Sequence, residues 1–245
     1  MKTIRLSIIT LSIAIFSIGN LTAQEKAGEI LTSTEITVKQ GHRAQFIDGV
    51  KKWKECYLEN NGQEKWNMWY RQQGEGNFYI MSGMKANWAE LDKEDKSGDA
   101  CYAVLINFIM PHIEKTNRRV AQSMPEVSKN SSGAAQNIMV TYYQVKKDYL
   151  FEEVITAVSE AIKNKEGSAR GDWFKVRFGG LDTPDFFISL PFENYADLDI
   201  KRDSPAKIYT DLVGEKKASE MWEKWFETLD KSWSYTYKLE SELSN

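Results

Sequence analysis

One pattern occurs twice in this chain, and that duplication constrains the fold more than any single residue does. Residues 87–92 read N-W-A-E-L-D and residues 194–199 read N-Y-A-D-L-D, a spacing of 107 residues from Asn87 to Asn194. Each copy follows a helix-like stretch and two strand-like runs, and precedes a further helix and a last strand. A unit repeated at this period must bury its apolar face against its twin, so architecture follows from the repeat before chemistry does.

The first residues read as an export signal. Lys2 and Arg5 give a short basic start, and Leu6–Gly19 is apolar apart from Ser and Thr. Ala23 offers a small residue before Gln24. The run is too short for an ordinary membrane span and is not followed by a stop-transfer pattern. The expectation is a signal peptide over residues 1–23, no membrane insertion, and a protein exported to the periplasm or the extracellular space. The formal charge of the whole chain is −3, which gives no electrostatic reason to expect nucleic acid as a partner. Eight Trp, eleven Tyr and eleven Phe supply large apolar surfaces for a core.

The two halves read in parallel, as repeats over residues 24–131 and 132–245. In the first, Leu31–Lys39 alternates as a strand. Phe46, Ile47, Val50, Trp53, Tyr57 and Leu58 form one helical stripe, stopped by Asn60-Asn61-Gly62. Trp66–Arg71 and Asn77–Gly83 are strands around a Gly-rich hairpin loop. A second helix is expected over about Ala100–Lys115 and a last strand over Arg118–Met124. In the second half, Asn137–Val145 is a strand. Leu150, Phe151, Val154, Ile155, Val158, Ala161 and Ile162 form the helical stripe. Trp173–Phe178 and Asp185–Leu190 are strands, and Met221, Trp222, Trp225 and Leu229 mark the second helix. Trp233, Tyr235, Tyr237 and Leu239 alternate strictly. Each half is therefore βαββαβ, the ferredoxin-like unit. Apolar residues are consecutive in several strands, as in Phe78-Tyr79-Ile80-Met81, so both strand faces must be covered. The expected fold is α+β, with two tandem ferredoxin-like repeats packed sheet to sheet into a pseudo-dimeric barrel. Because the partner sheet comes from the same chain, a monomer with an internal pseudo-two-fold is expected.

The hairpin followed by N-[WY]-A-[ED]-L-D, with the terminal strand, resembles the dimeric α+β barrel superfamily. The chain looks most like single-chain, duplicated members among exported bacterial proteins of uncharacterised function. That superfamily includes cofactor-free monooxygenases, haem enzymes, small-molecule isomerases and members without known activity, and no catalytic signature of any of them transfers residue by residue. Haem-binding relatives use a histidine from a helix comparable to the one carrying His112. His112 stands on the expected inward row, seven residues after Leu105; the matching position in the second half is Thr228. His42 opens the first helix and reads as a surface or capping residue.

No metal motif, nucleophile elbow or phosphate-binding loop is present. Instead, aligning the first helices sets Trp66, Met68 and Tyr70 against Phe174, Val176 and Phe178 as a helix-facing set. The opposite face then carries Asn67, Trp69 and Arg71 in one half and Trp173, Lys175 and Arg177 in the other. Facing inward, Trp69, Arg71, Lys175 and Arg177, with His112, would make an aromatic, basic cavity. With the charged groups at strand ends reaching solvent, the same residues would have no such role. The favoured function is binding of a small aromatic or anionic molecule between the sheets by a non-catalytic or weakly catalytic barrel, with no cofactor expected unless haem is bound. The alternatives are a cofactor-independent oxygenase or haem enzyme using His112, and a structural or partner-binding envelope protein. Cys56 and Cys101 are expected to form a disulfide, because antiparallel helices on one side of a sheet bring the end of the first near the start of the second; the alternative is two buried free thiols, since spacing alone does not establish the geometry.

Overall fold

A computed structural model of the chain describes residues 28–131, 133 and 135–245, and the signal segment expected over residues 1–23 lies outside them. The first half contains β1 (Ile30–Val38), α1 (Arg43–Glu59), β2 (Asn67–Arg71), β3 (Asn77–Lys85), the short helices α2 (Lys96–Ala100) and α3 (Tyr102–Val104), and β4 (Ile113–Ser123). The second contains β5 (Asn137–Val145), α4 (Asp148–Glu166), β6 (Asp172–Phe178), β7 (Phe186–Phe192), α5 (Pro205–Val213), α6 (Glu215–Thr228) and β8 (Leu229–Leu239). The repeated hexapeptides form 3-10 turns after β3 and β7. At the second copy, the Asn194 side chain accepts from the Ala196 amide (3.0 Å) and the Asp197 carboxylate from the Glu193 amide (2.9 Å). This local capping satisfies backbone donors that a helix start leaves open.

The expectation of two sheets packed face to face is overturned. Within each half the antiparallel orders are β4-β1-β3-β2 and β8-β5-β7-β6, but the edge strands then join, β2 to β8 and β4 to β6. The result is one closed, eight-stranded antiparallel barrel. Consecutive apolar residues require cover on both strand faces, and stacking and closure satisfy that equally. Closure also gives the four edge strands hydrogen-bond partners, which stacking does not.

The barrel divides each strand by parity. Trp69, Ile80, Ala121, Val140, Tyr142, Phe187 and Tyr237 pack inside it, with Trp233, Tyr235 and Leu239 against them. Outside, Phe46 and Val50 of α1 cover Ile36, Val38, Met68 and Tyr79, and Phe151 and Ile155 of α4 cover Trp173 and Phe186. Phe46 lies against Tyr79 (ring centroids 5.0 Å) as Phe151 lies against Phe186 (4.8 Å), so these pairs occupy equivalent places in the two halves.

The second helix of the first half is not continuous. After α3 the chain makes a π-helical turn over Leu105–Ile109 and a 3-10 turn over Met110–His112, and β4 begins at Ile113. Pro111 sits in that 3-10 turn; lacking an N–H, it cannot continue a helical ladder. Gly49 lets this stretch approach α1 closely, because a Cβ there would stand 2.1 Å from the Phe108 carbonyl oxygen. Cys56, in the last turn of α1, is bonded to Cys101 between α2 and α3, with Cα atoms 5.9 Å apart.

Reducing this bridge should lower stability by about 2–4 kcal/mol on the chain-entropy account of a loop of this length, read as a shift in urea midpoint at unchanged slope. Val50→Ala, at a fully packed position, should cost about 1–3 kcal/mol in the same assay.

Candidate functional site

The barrel interior is not fully packed. A cavity of about 320 Å³ is lined by Leu31, Trp69, Tyr142, Phe174, Phe187 and Tyr237, with Ser33, Asn67, Ser82, Ser189 and Arg119 supplying polar groups. Lys65, Trp66 and Asn245 stand among its lining residues. Trp66 also fixes the chain beyond β8, donating its indole N–H to the Leu243 carbonyl (2.8 Å) while Leu243 is buried against the core under α1. Trp69 is held in place by its own indole N–H, which donates to Ser82 Oγ at 3.1 Å.

Arg119 is the electrostatic centre of the cavity. Strand parity points it inward from β4, where only 6% of its side chain is exposed. Its Nη2 lies 2.5 Å from Glu35 Oε1, its Nε donates to Ser33 Oγ at 3.2 Å, and its guanidinium lies 5.2 Å from the Tyr142 ring centroid. Asn117 donates to the other Glu35 oxygen at 3.3 Å. A lone cation here would be prohibitively costly, so Glu35 is what makes Arg119 tolerable inside a barrel. Beside this pair the Tyr142 and Tyr237 hydroxyls are hydrogen-bonded at 3.0 Å. Burial raises both phenols; the Arg119 charge opposes that rise, while each hydroxyl remains protonated at neutral pH.

The residues singled out from sequence divide. Trp69 lines the cavity. Arg71 faces inward but is held between the rings of Phe78 (4.3 Å) and Tyr235 (4.6 Å), donating to the Glu75 carbonyl at 2.6 Å, outside the cavity lining. Lys175 and Arg177 are on the outer face of β6: Lys175 pairs with Glu152 (2.5 Å) and Asp148 (3.2 Å) of α4, and exposed Arg177 bonds Gln122 (2.9 Å). The expected face was displaced by one residue in the second half. Trp69 pairs with Ile80 and Phe174 with Phe187, so Phe174 and Val176, not Trp173 and Lys175, are the inward set. His112 is not in an inward row. It ends the turn before β4, and its Nδ1 lies 2.9 Å from Nδ1 of His42. The chain's two histidines thus bind each other across the start of α1, and neither lines either of the two cavities described for this chain.

Arg119 escaped sequence reasoning because Arg118 and Arg119 are adjacent and a strand bulge follows between Val120 and Ala121. The available signal was its place opposite Ser33, two residues from Glu35 on the neighbouring strand.

No family model matches the sequence, and no curated protein matches it. Solved structures do share the fold. A protein assigned as a monooxygenase from Lactobacillus acidophilus NCFM superposes with a TM-score of 0.52 at 11% identity, over 86% of this chain and 94% of that one. An anthrone oxidase-like protein gives 0.51 at 10%, over 89% and 92%. A mutant chlorite dismutase from Candidatus Nitrospira defluvii in complex with cyanide gives 0.51 at 10%, over 89% and 94%. These likenesses place the chain with the dimeric α+β barrel fold and, at such identities, concern the fold alone.

Removing one member of the buried pair should be costly: Arg119→Ala is expected to destabilise by about 3–5 kcal/mol, and the double variant Glu35→Gln/Arg119→Met by much less. Lys175→Ala, which removes a partly exposed cation from Glu152 and Asp148 on the outer face, should change the chemical-denaturation free energy by about 1 kcal/mol, well below the Arg119→Ala effect.

Proposed function

We propose that the barrel cavity binds a small planar aromatic molecule with an ionisable hydroxyl or enolisable carbonyl, and that this site supports its oxygenation by dioxygen without a bound cofactor. The observation that carries this reading is Arg119: a buried cation with its own counter-ion, set in an aromatic wall. Arg119 lines the cavity and Glu35, outside the lining, stands beside it at 2.5 Å; a neutral ligand hydroxyl that reaches the guanidinium and displaces the Glu35 carboxylate passes its proton to that carboxylate, and the resulting anion becomes the counter-ion of Arg119. The number of buried charges does not change, so the cavity can stabilise a substrate anion at little desolvation cost. Trp69 and Phe187 offer faces for the ring system, and the Tyr142–Tyr237 pair offers a hydroxyl to an oxygen substituent.

Such an anion is electron-rich enough to react directly with dioxygen. For a methylene flanked by two rings, the carbon becomes a ketone with one oxygen atom, and the second leaves as water with the two methylene hydrogens. The monooxygenase and anthrone oxidase-like neighbours support this class of chemistry. The resemblance to the dimeric α+β barrel superfamily also admits a haem enzyme, but the donor set here does not suit haem. The only two histidines are engaged with each other, and the two described cavities have no histidine in their walls. We place the activity in a monomer, since closure of the barrel within one chain leaves no strand edge among the described residues that requires a second copy, and, on the signal-like first 23 residues, outside the cytoplasm.

A chromophoric phenol, 4-nitrophenol, tests the anion-binding step: its apparent pKa should fall on binding to the wild-type protein and return to the free value with Glu35→Gln/Arg119→Met. An unchanged pKa on binding, or a shift that survives this double variant, would overturn the assignment of Arg119. With anthrone, oxygen uptake should equal ketone formed without peroxide release, and should fall by about 100-fold or more in the double variant. Sedimentation at rising concentration should show one monomeric species.

A further inference from the structure

A second cavity, of about 790 Å³, lies outside the barrel in the second half, between the outer face of the sheet and helices α4 and α6. Its size falls within the usual range for small-molecule sites. The sheet contributes Met139, Thr141, Tyr143, Trp173, Ile188 and Leu190, and the helices contribute Val154, Val158, Ile162, Trp222 and Trp225 among others. The first half shows why this gap is open. There Gly49 allows the 105–109 stretch to close onto α1. On the alignment that matches Phe46 with Phe151, the position of Gly49 is taken by Val154, which is buried and carries the bulk that glycine lacks.

The chemistry of the walls selects the occupant. Arg170 is the sole charged residue in the lining, and it is already neutralised: Nε and Nη2 bind the two Glu166 oxygens at 3.0 and 2.6 Å, and Nη2 also donates to the Asp203 carbonyl at 2.7 Å. The Arg170–Glu166 hydrogen bonds hold the Glu166 carboxyl below the usual carboxylate range and raise the Arg170 guanidinium above its own, so the pair stays ionised and offers no free charge. Tyr143 is different. It stacks on Trp173 (5.6 Å) and meets Trp225 edge-on (5.6 Å). Its hydroxyl makes no hydrogen bond to protein among the described residues, and burial alone pushes its pKa up to about 12. It is a protonated donor on the cavity wall, with no protein acceptor among the described residues.

We infer that this cavity is a binding site for a neutral, lipophilic molecule with a long or polycyclic skeleton and one hydrogen-bond acceptor, which Tyr143 engages. Charged ligands are disfavoured because nothing in the walls would balance them. Haem is disfavoured on the same ground, carrying two carboxylates and an iron for which the lining holds no histidine or cysteine.

The test uses Nile red, a neutral polycyclic dye with a carbonyl acceptor, added to the full chain. Saturable, one-to-one binding with blue-shifted emission is expected. Val158→Trp, which fills the cavity from α4, should weaken it more than tenfold. Tyr143→Phe should weaken it about threefold to tenfold, the loss of one hydrogen bond, with an unchanged circular dichroism spectrum. Glu35→Gln/Arg119→Met should leave it unaltered, which separates this site from the barrel. Dodecanol should displace the dye at least tenfold better than dodecanoate. Absence of saturable binding would overturn the site, as would full retention in both Val158→Trp and Tyr143→Phe. Preferential displacement by dodecanoate, or by haemin with a sharp Soret band, would overturn the ligand class.

Discussion

The pairing of β2 with β8 and of β4 with β6 is the constraint from which the other features follow. Each half presents two sheet edges, and an unpaired edge leaves backbone groups that water or another chain must satisfy. Joining the halves edge to edge satisfies both seams within one chain and converts two four-stranded sheets into a wall with an inside and an outside. Parity then assigns every strand residue to one of two environments. The inside is aromatic because eight strands leave a space that bulky rings nearly fill, and the cavity is what they leave unfilled.

That geometry explains how the barrel tolerates a buried charge. Arg119 and Glu35 come from adjacent strands, β4 and β1, whose register sets Ser33 opposite Arg119 and Asn117 opposite Glu35. The pair is thus built by strand register, and its satisfaction by Ser33 and Asn117 follows from the same pairing. Buried ion pairs seldom add net stability. This pair meets the barrel cavity through Arg119, and its role in the proposed function rests on that placement.

Much of the architecture was legible in the primary structure. The eight strands, the α1 and α4 stripes, and the Cys56–Cys101 bridge follow from apolar periodicity and helix direction. The strict alternation of Trp233, Tyr235, Tyr237 and Leu239 does report a single face, the inner one. What periodicity could not supply was the correspondence between the halves. Phe46, Ile47 and Val50 match Val154, Ile155 and Val158 as apolar triplets, yet Phe46 is structurally equivalent to Phe151. That offset moved Lys175 and Arg177 from the outer face to the inner one. Near Pro111 the helix pattern continues through residues that instead form a π turn, because periodicity does not record a missing N–H. His112 was drawn inward by the same error. Closure rather than stacking was beyond reach too, since both arrangements cover both strand faces.

Tyr142 and Tyr143 are consecutive residues of β5, and one faces the barrel cavity while the other faces the gap beneath α4. Trp173 and Phe174 stand in the same relation on β6, as do Phe187 and Ile188 on β7. The two cavities are therefore separated by a partition one peptide thick. A strand that shifts to accommodate a guest on one side shifts on the other by the same displacement, and thermodynamic linkage makes any such influence reciprocal. In the first half the disulfide and the close approach at Gly49 fasten the helical segments to one another outside the wall, and in the second half a cavity stands in that layer instead.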